Sequence, residues 1–124
     1  MSAKHLLVID DETNLCSVIQ ACLETLGGWN VVTAETGKEG LLKAETYQPD
    51  AILLDIMMPD MDGITLFQTL QQNPVTQHIP VVLLTAKVLT DDLAQFNELG
   101  ITGVIAKPFD PLRLIQQVRE LLNW

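Results

Sequence analysis

Residues 51–63 read AILLDIMMPDMDG. Four apolar residues run without a break into a carboxylate, Asp55, and a turn-rich segment with Pro59, Asp62 and Gly63 follows. An unbroken apolar run of this length fits a strand buried on both faces. Such strands belong to parallel sheets covered by helices, not to antiparallel sheets wetted on one side. The same kind of run recurs in both directions along the chain, as HLLVI (5–9), WNVVTA (29–34), IPVVLLTA (79–86) and TGVIA (102–106).

Helical patterns fill the gaps. Leu15, Val18, Ile19, Cys22, Leu23 and Leu26 form one apolar stripe, stopped by Gly27-Gly28. TGKEGLLKAETY (36–47) predicts a helix with Leu41, Leu42 and Ala44 inside, ended by Pro49-Asp50. Asp62 is placed to cap a helix through ITLFQTLQQN, and Pro74 closes it. TDDLAQFNELG (90–100) opens on Thr90 and ends at Gly100. Asp110 caps a last helix with Pro111 at its first position and Leu114, Ile115, Val118, Leu121 and Leu122 as its stripe. Strict alternation of strand and helix predicts an α/β fold with right-handed crossovers, forming a single domain over 1–124.

Composition narrows the function classes. A chain of 124 residues that is 48% hydrophobic can bury a sizeable core. Its apolar runs are far too short to span a membrane, and MSAKHLLVIDDE lacks the apolar core of a secretory signal, so a cytoplasmic location is expected. Cys16 and Cys22 read as buried thiols, not as a disulfide framework. The net charge of −9 argues against direct contact with nucleic acid or anionic membranes.

In a parallel sheet the C-terminal ends of all strands share one edge, and ligands bind there. Asp10, Asp11 and Glu12 follow the first strand, Asp55 ends the third, Thr85 ends the fourth and Lys107 follows the fifth. Each alone is an ordinary turn or cap residue; their convergence on one rim is not. Two carboxylates 4 Å apart repel by about 4 kcal/mol at an effective dielectric near 20. A lysine and a hard divalent cation would offset this, and an all-oxygen ligand set favours Mg²⁺, with Mn²⁺ as a substitute. Asp10, Asp11 and Asp55 with one Mg²⁺ and Lys107 sum to zero charge, a site able to accept a phosphoryl group.

IDDE near the start, ILLDIMMPDMDG in the middle, LLTA, and IAKPF near the end resemble the receiver domain of bacterial two-component response regulators. The resemblance covers essentially the whole chain. It implies a flavodoxin-like (βα)5 three-layer sandwich, with a five-stranded parallel sheet in the order 2-1-3-4-5. It also implies that Asp55 is the phosphoacceptor and that Asp11, with Asp10 beside it, and the main-chain carbonyl of Met57 hold the metal. Thr85 then bonds the phosphoryl oxygen and moves on activation. Lys107 pairs with acceptor and phosphoryl, and Pro108 follows a cis peptide bond. Met57 and Lys87 are positions that tune hydrolysis. The expected partners are a sensor histidine kinase or histidine phosphotransfer protein upstream. Downstream, a protein or output domain would dock on the face built by the helix over 90–100, the fifth strand and the last helix, a face that could also serve a homodimer.

The expected activity is not that of an enzyme with a separate substrate. It is a phosphorelay switch that catalyses only its own phosphotransfer and autodephosphorylation. One departure stands out. Receivers usually carry Tyr or Phe three residues before the lysine, and here the position is Val104. Valine has no comparable swing, so the readout is expected to be smaller or differently routed. Other classes fit less well. Flavin-phosphate binding would be repelled by Asp10-Asp11-Glu12. An Asp-nucleophile phosphatase would carry an acid where Met57 stands. The alternative retained is a degenerate receiver acting as a phosphorylation-independent interaction module.

Overall fold

The computed structural model describes residues 4–86, 94, 96, 98–107 and 110–124. Five strands form one parallel sheet: β1 (His5–Ile9), β2 (Asn30–Ala34), β3 (Ala51–Asp55), β4 (Val81–Thr85) and β5 (Gly103–Ala106). Their order is β2-β1-β3-β4-β5, the flavodoxin-like order expected from the resemblance. The apolar runs explain the central position of β3, which is buried at every residue.

Residue parity along the strands divides the core in two. Leu6, Val8, Leu53, Val82, Leu84 and Ile105 point to one face of the sheet. Helix α1 (Thr13–Gly27) and the last helix, Pro111–Leu122, cover that face. Leu7, Ile9, Ile52, Leu54, Val81 and Leu83 point to the other. There α2 (Gly37–Tyr47) and α3 (Gly63–Gln72) lie over them. Of the helix expected over 90–100, Ala94, Phe96, Glu98 and Leu99 are described and helical, and Gly100 follows at φ 92°. Its Thr90 cap lies outside the described residues.

The expected caps form. The side chain of Asp62 accepts from the Thr65 amide at 2.9 Å, and that of Asp110 from the Leu112 amide at 2.9 Å. Two expected helix stripes need correction. Leu42 is exposed, and the inner side of α2 is Gly37, Gly40 and Ala44, with Leu41 half-buried. The cause is close packing: a Cβ at Gly40 would stand 2.5 Å from Cδ1 of Ile9. The helix therefore lies nearest the sheet where it has no side chain, and Leu42, about 200° further round, faces water. In α1 the buried residues are Cys16, Ile19, Cys22 and Leu23, while Val18 and Leu26 are about half exposed. The buried stripe is narrower than the apolar pattern because α1 touches the core along one line only.

The two cysteines are buried thiols with no disulfide between them. At the edge of the sheet where the strands begin, Trp29 and Trp124 pack edge-to-face with ring centroids 5.2 Å apart. Arg119 lies over Trp29 and Lys4 over Trp124, at 5.6 and 5.4 Å from the ring centroids. The last helix is thus fastened to the start of β2. Among the described residues, no helix is long and apolar enough to cross a membrane.

Candidate functional site

Strand register assembles the site. Ile9 pairs with Leu54, Asp55 with Leu84, and Thr85 with Ala106. Asp10 therefore emerges beside Asp55, and Lys107 one residue beyond Thr85. Neighbouring parallel strands lie about 4.8 Å apart, so these four residues must share one rim. Parity then assigns sides. Asp55 follows Leu53 toward the α1 face, whereas Thr85 and Val104 share the parity of Leu83, Val81 and the opposite face.

Asp10 is fully buried, and Asp55 and Thr85 are each 5% exposed. Asp11 and Glu12 are open to solvent. Oxygen atoms of Asp10, Asp11 and Asp55 all lie within 4.8 Å of one another. The Lys107 Nζ reaches across 97 positions of sequence to donate to Asp10 Oδ2 at 2.9 Å. It also stands 3.5 Å from Asp55 Oδ2 and 3.6 Å from Glu12 Oε1. Main-chain donors complete the carboxylate partners: Glu12 N–H to Asp10 Oδ1 at 2.9 Å, and Met57 N–H to Asp55 Oδ1 at 3.2 Å.

The electrostatics follow from this geometry. Burial, then the charge of Asp10, pushes the Asp55 carboxyl up from 3.8 to about 6, against the lowering effects of the Met57 amide and Lys107. Burial alone would lower the Lys107 ammonium, but its bond to Asp10 and the nearby carboxylates leave it raised. The Cys16 thiol, which donates to the Asp10 carbonyl at 3.1 Å, is pushed up to about 11, mainly by burial. It is a packed thiol beneath the site, not a nucleophile.

The charge balance invites a cation. Lys107 is the cation paired with Asp10 and Asp55 among the described residues, Asp11 adds a third carboxylate, and Glu12 adds a further negative charge at the edge. Two of the three carboxylates are nearly dry, and all donors are oxygens. That set fits a hard divalent ion and does not fit zinc or copper.

The segment after β3 is held close. The Gly63 N–H donates to the Ile56 carbonyl at 2.7 Å, and a Cβ at Gly63 would stand 2.7 Å from Ile56 Cα and 2.8 Å from the Asp55 carbonyl oxygen. Only glycine lets α3 begin against the peptide that follows Asp55. Gly63→Ala must displace backbone, and we expect a loss of about 2 kcal/mol in urea unfolding. An unchanged midpoint would show that the segment yields freely.

Met57 is 75% exposed on the lip of a shallow depression lined by Asp11, Ile56, Met58, Pro59 and Asp62. Lys87 and Pro108, with its expected cis bond, lie outside the described residues. Glu12, which the strand order also brings to the rim, reaches Lys107. Asp60 had no signal in the sequence order: it accepts from the amides of Gly37 and Lys38 at 3.1 and 3.3 Å.

The family model for the response regulator receiver domain matches residues 6–119. The chain belongs to the receiver family. Similar receivers occur in the alkaline phosphatase synthesis transcriptional regulatory protein PhoP of Bacillus subtilis, 40% identical over 97% of this chain and 49% of that protein. The response regulator PleD of Caulobacter vibrioides is 43% identical over all of this chain and 27% of that protein. The chain thus spans half or less of these curated relatives. Among solved structures, the chemotaxis protein CheY4 of Vibrio cholerae superposes with a TM-score of 0.89 at 26% identity, covering 97% of this chain and 99% of that one. A CheY-like receiver protein of Methanospirillum hungatei gives 0.86 at 28% identity, over 98% and 95%. The sheet order and the two-sided helical cover are those of CheY-like receivers. Receivers are phosphoacceptors of phosphorelay signalling, work with histidine kinases or phosphotransfer proteins, and bind Mg²⁺ in an acidic pocket, here matched by the Asp10, Asp11 and Asp55 cluster.

Proposed function

We propose that this receiver, taken as one domain over 1–124, accepts a phosphoryl group on Asp55 from a phosphohistidine of a sensor kinase or phosphotransfer protein. The observation that carries this reading is a nearly dry Asp55 carboxylate beside two others, with Lys107 Nζ 3.5 Å from its Oδ2. Asp10, Asp11 and Asp55, with the main-chain carbonyl of Met57, would hold Mg²⁺ or Mn²⁺. When bound, the cation neutralises charge on the phosphoryl oxygens.

The chain's own residues do the rest. An Asp55 carboxylate oxygen attacks phosphorus, and the P–N bond to histidine breaks. The imidazole keeps the electron pair and takes a proton, and Asp55 becomes an acyl phosphate. Lys107, released in part from Asp10, pairs with the arriving phosphoryl oxygens. Thr85, at the end of β4, donates its hydroxyl to the same group. Water later attacks the phosphorus, the P–O bond to Asp55 breaks, inorganic phosphate leaves and Asp55 returns to a carboxylate.

Nothing in the described site supports a degenerate receiver, because every acid, the hydroxyl and the lysine are present. Val104 shares the face of Thr85 but carries no ring, so the readout runs through small shifts at the β4 and β5 ends. It is offered to an output domain, a separate protein or a second copy at the face expected of the helix over 90–100, β5 and the last helix. Intact-mass measurement after Mg²⁺ and acetyl phosphate tests the reading. One added phosphoryl is expected, and no adduct under any condition would sink it.

Lifetime is set beside the site. Met57 presents an apolar side chain at the lip, where water must approach, and Lys87 is the second position assigned to tuning. Met57→Asn is expected to speed loss of the phosphoryl group about fivefold, a barrier change of about 1 kcal/mol. An unchanged decay rate in a chase of the phosphorylated protein would remove Met57 from this role.

A further inference from the structure

We propose that Asp60 is a positioning residue for the metal and phosphoryl site, tying the β3–α3 segment to the N-terminus of α2; the proposal rests on the reading of Asp55 given above. Helix α2 already has its own cap. The Thr36 hydroxyl accepts from the Glu39 amide at 3.0 Å. Asp60 then takes the two amides before it, Gly37 at 3.1 Å and Lys38 at 3.3 Å, one with each carboxylate oxygen. A helix needs one capping side chain, and here a second is brought from more than twenty positions away. The imported carboxylate also sits at the positive end of the helix dipole, and these amides hold its carboxyl below its usual range.

The other end of this tether is the site. Between Asp55 and Asp60 lie Ile56, Met57, Met58 and Pro59. Met58 is buried from below, and the Ile56 carbonyl is held by the Gly63 amide at 2.7 Å. Met57 lies between these anchors. Its amide donates to Asp55 Oδ1, and its carbonyl is the proposed metal ligand. Without Asp60, the span from Met58 to Asp62 loses its two hydrogen bonds to α2, the ones it has among the described contacts, and the Met57 carbonyl loses the support of the segment that follows it. Outer groups that orient a ligand commonly carry tenfold or more in metal affinity.

Asp60→Ala and Thr36→Ala separate positioning from capping. Both remove a cap from the same helix end, and both are expected to lower the melting temperature to a similar degree. Only Asp60→Ala is expected to weaken Mg²⁺ binding in calorimetry, by about tenfold. Only Asp60→Ala is expected to speed amide exchange at Met57 in metal-free protein, and Asp60→Asn, which keeps one acceptor, should recover part of both effects. Equal Mg²⁺ affinity and equal Met57 exchange in the two alanine variants would overturn the proposal while leaving the Asp55 reading intact. If the unsubstituted protein bound no Mg²⁺, the Asp55 reading would fall; exchange at Met57 would still decide whether Asp60 holds the segment.

Discussion

Asp55→Asn is expected to abolish phosphorylation and, without metal, to raise stability. The first effect follows from chemistry: a carboxamide is no nucleophile toward phosphorus, so the phosphoryl adduct should be absent by mass. The second follows from burial. Asp55 has its carboxyl raised from 3.8 to about 6 because burial and Asp10 disfavour its charge. An acid raised on folding contributes stability that is complete below its unfolded value and disappears as pH rises through about 6. Above that pH the ionised form burdens the fold by something on the order of 2 kcal/mol, the full shift being reduced by solvent at the open side of the rim. Asparagine carries no charge to bury. Its advantage over the unsubstituted protein in chelator should be near zero at pH 4 and reach about 6 °C in melting temperature by pH 7.5. Saturating Mg²⁺ should shrink or reverse the gap. A variant that melts lower than the unsubstituted protein at pH 7.5 in chelator would contradict the electrostatic account.

Lys107→Ala is expected to act in the opposite sense. The ammonium is the cation shared by a fully buried Asp10 and a 5% exposed Asp55. Its removal strands both carboxylates, and breaking a buried pair costs about 3 kcal/mol. That corresponds to a fall of about 10 °C in melting temperature for a domain of this size. Mg²⁺ should restore part of it by supplying the missing positive charge. Phosphorylation by acetyl phosphate should also slow by about a hundredfold, since a donor aimed at the developing charge is gone. The pair of variants can be joined in a cycle. With Asp55 already neutral, Lys107→Ala should cost measurably less, because one of its two buried partners no longer needs it. Strict additivity would place the stabilising contact of Lys107 on Asp10 alone.

The order of legibility along the chain has physical reasons. Continuous apolar runs such as ILL and VVLL can be buried on both faces in few other ways, so strand number and parallel direction were readable. Strand ends in a parallel sheet share an edge, so sequence position alone collects Asp10, Asp55, Thr85 and Lys107 there. Helix faces were harder. Leu42 looks interior by composition, but Gly40 brings α2 down onto Ile9 and turns Leu42 outward. Hydropathy records what a side chain prefers, whereas close approach depends on which position lacks one. Asp60 was opaque for another reason. Its partners are main-chain amides, which every residue carries, so neither Gly37 nor Lys38 marks itself as an acceptor's target.

The tryptophan pair has a practical consequence. Both tryptophans of the chain are in it, at the edge where the strands begin. Five residues of strand at about 3.3 Å each separate that edge from the acidic rim. Intrinsic fluorescence is therefore blind to direct quenching by an ion or phosphoryl group at Asp55. It reports instead whether the last helix is seated on the start of β2. An emission change on phosphorylation would be a signal carried the length of the sheet, and a flat trace would leave the two rings as a clean optical gauge of unfolding alone.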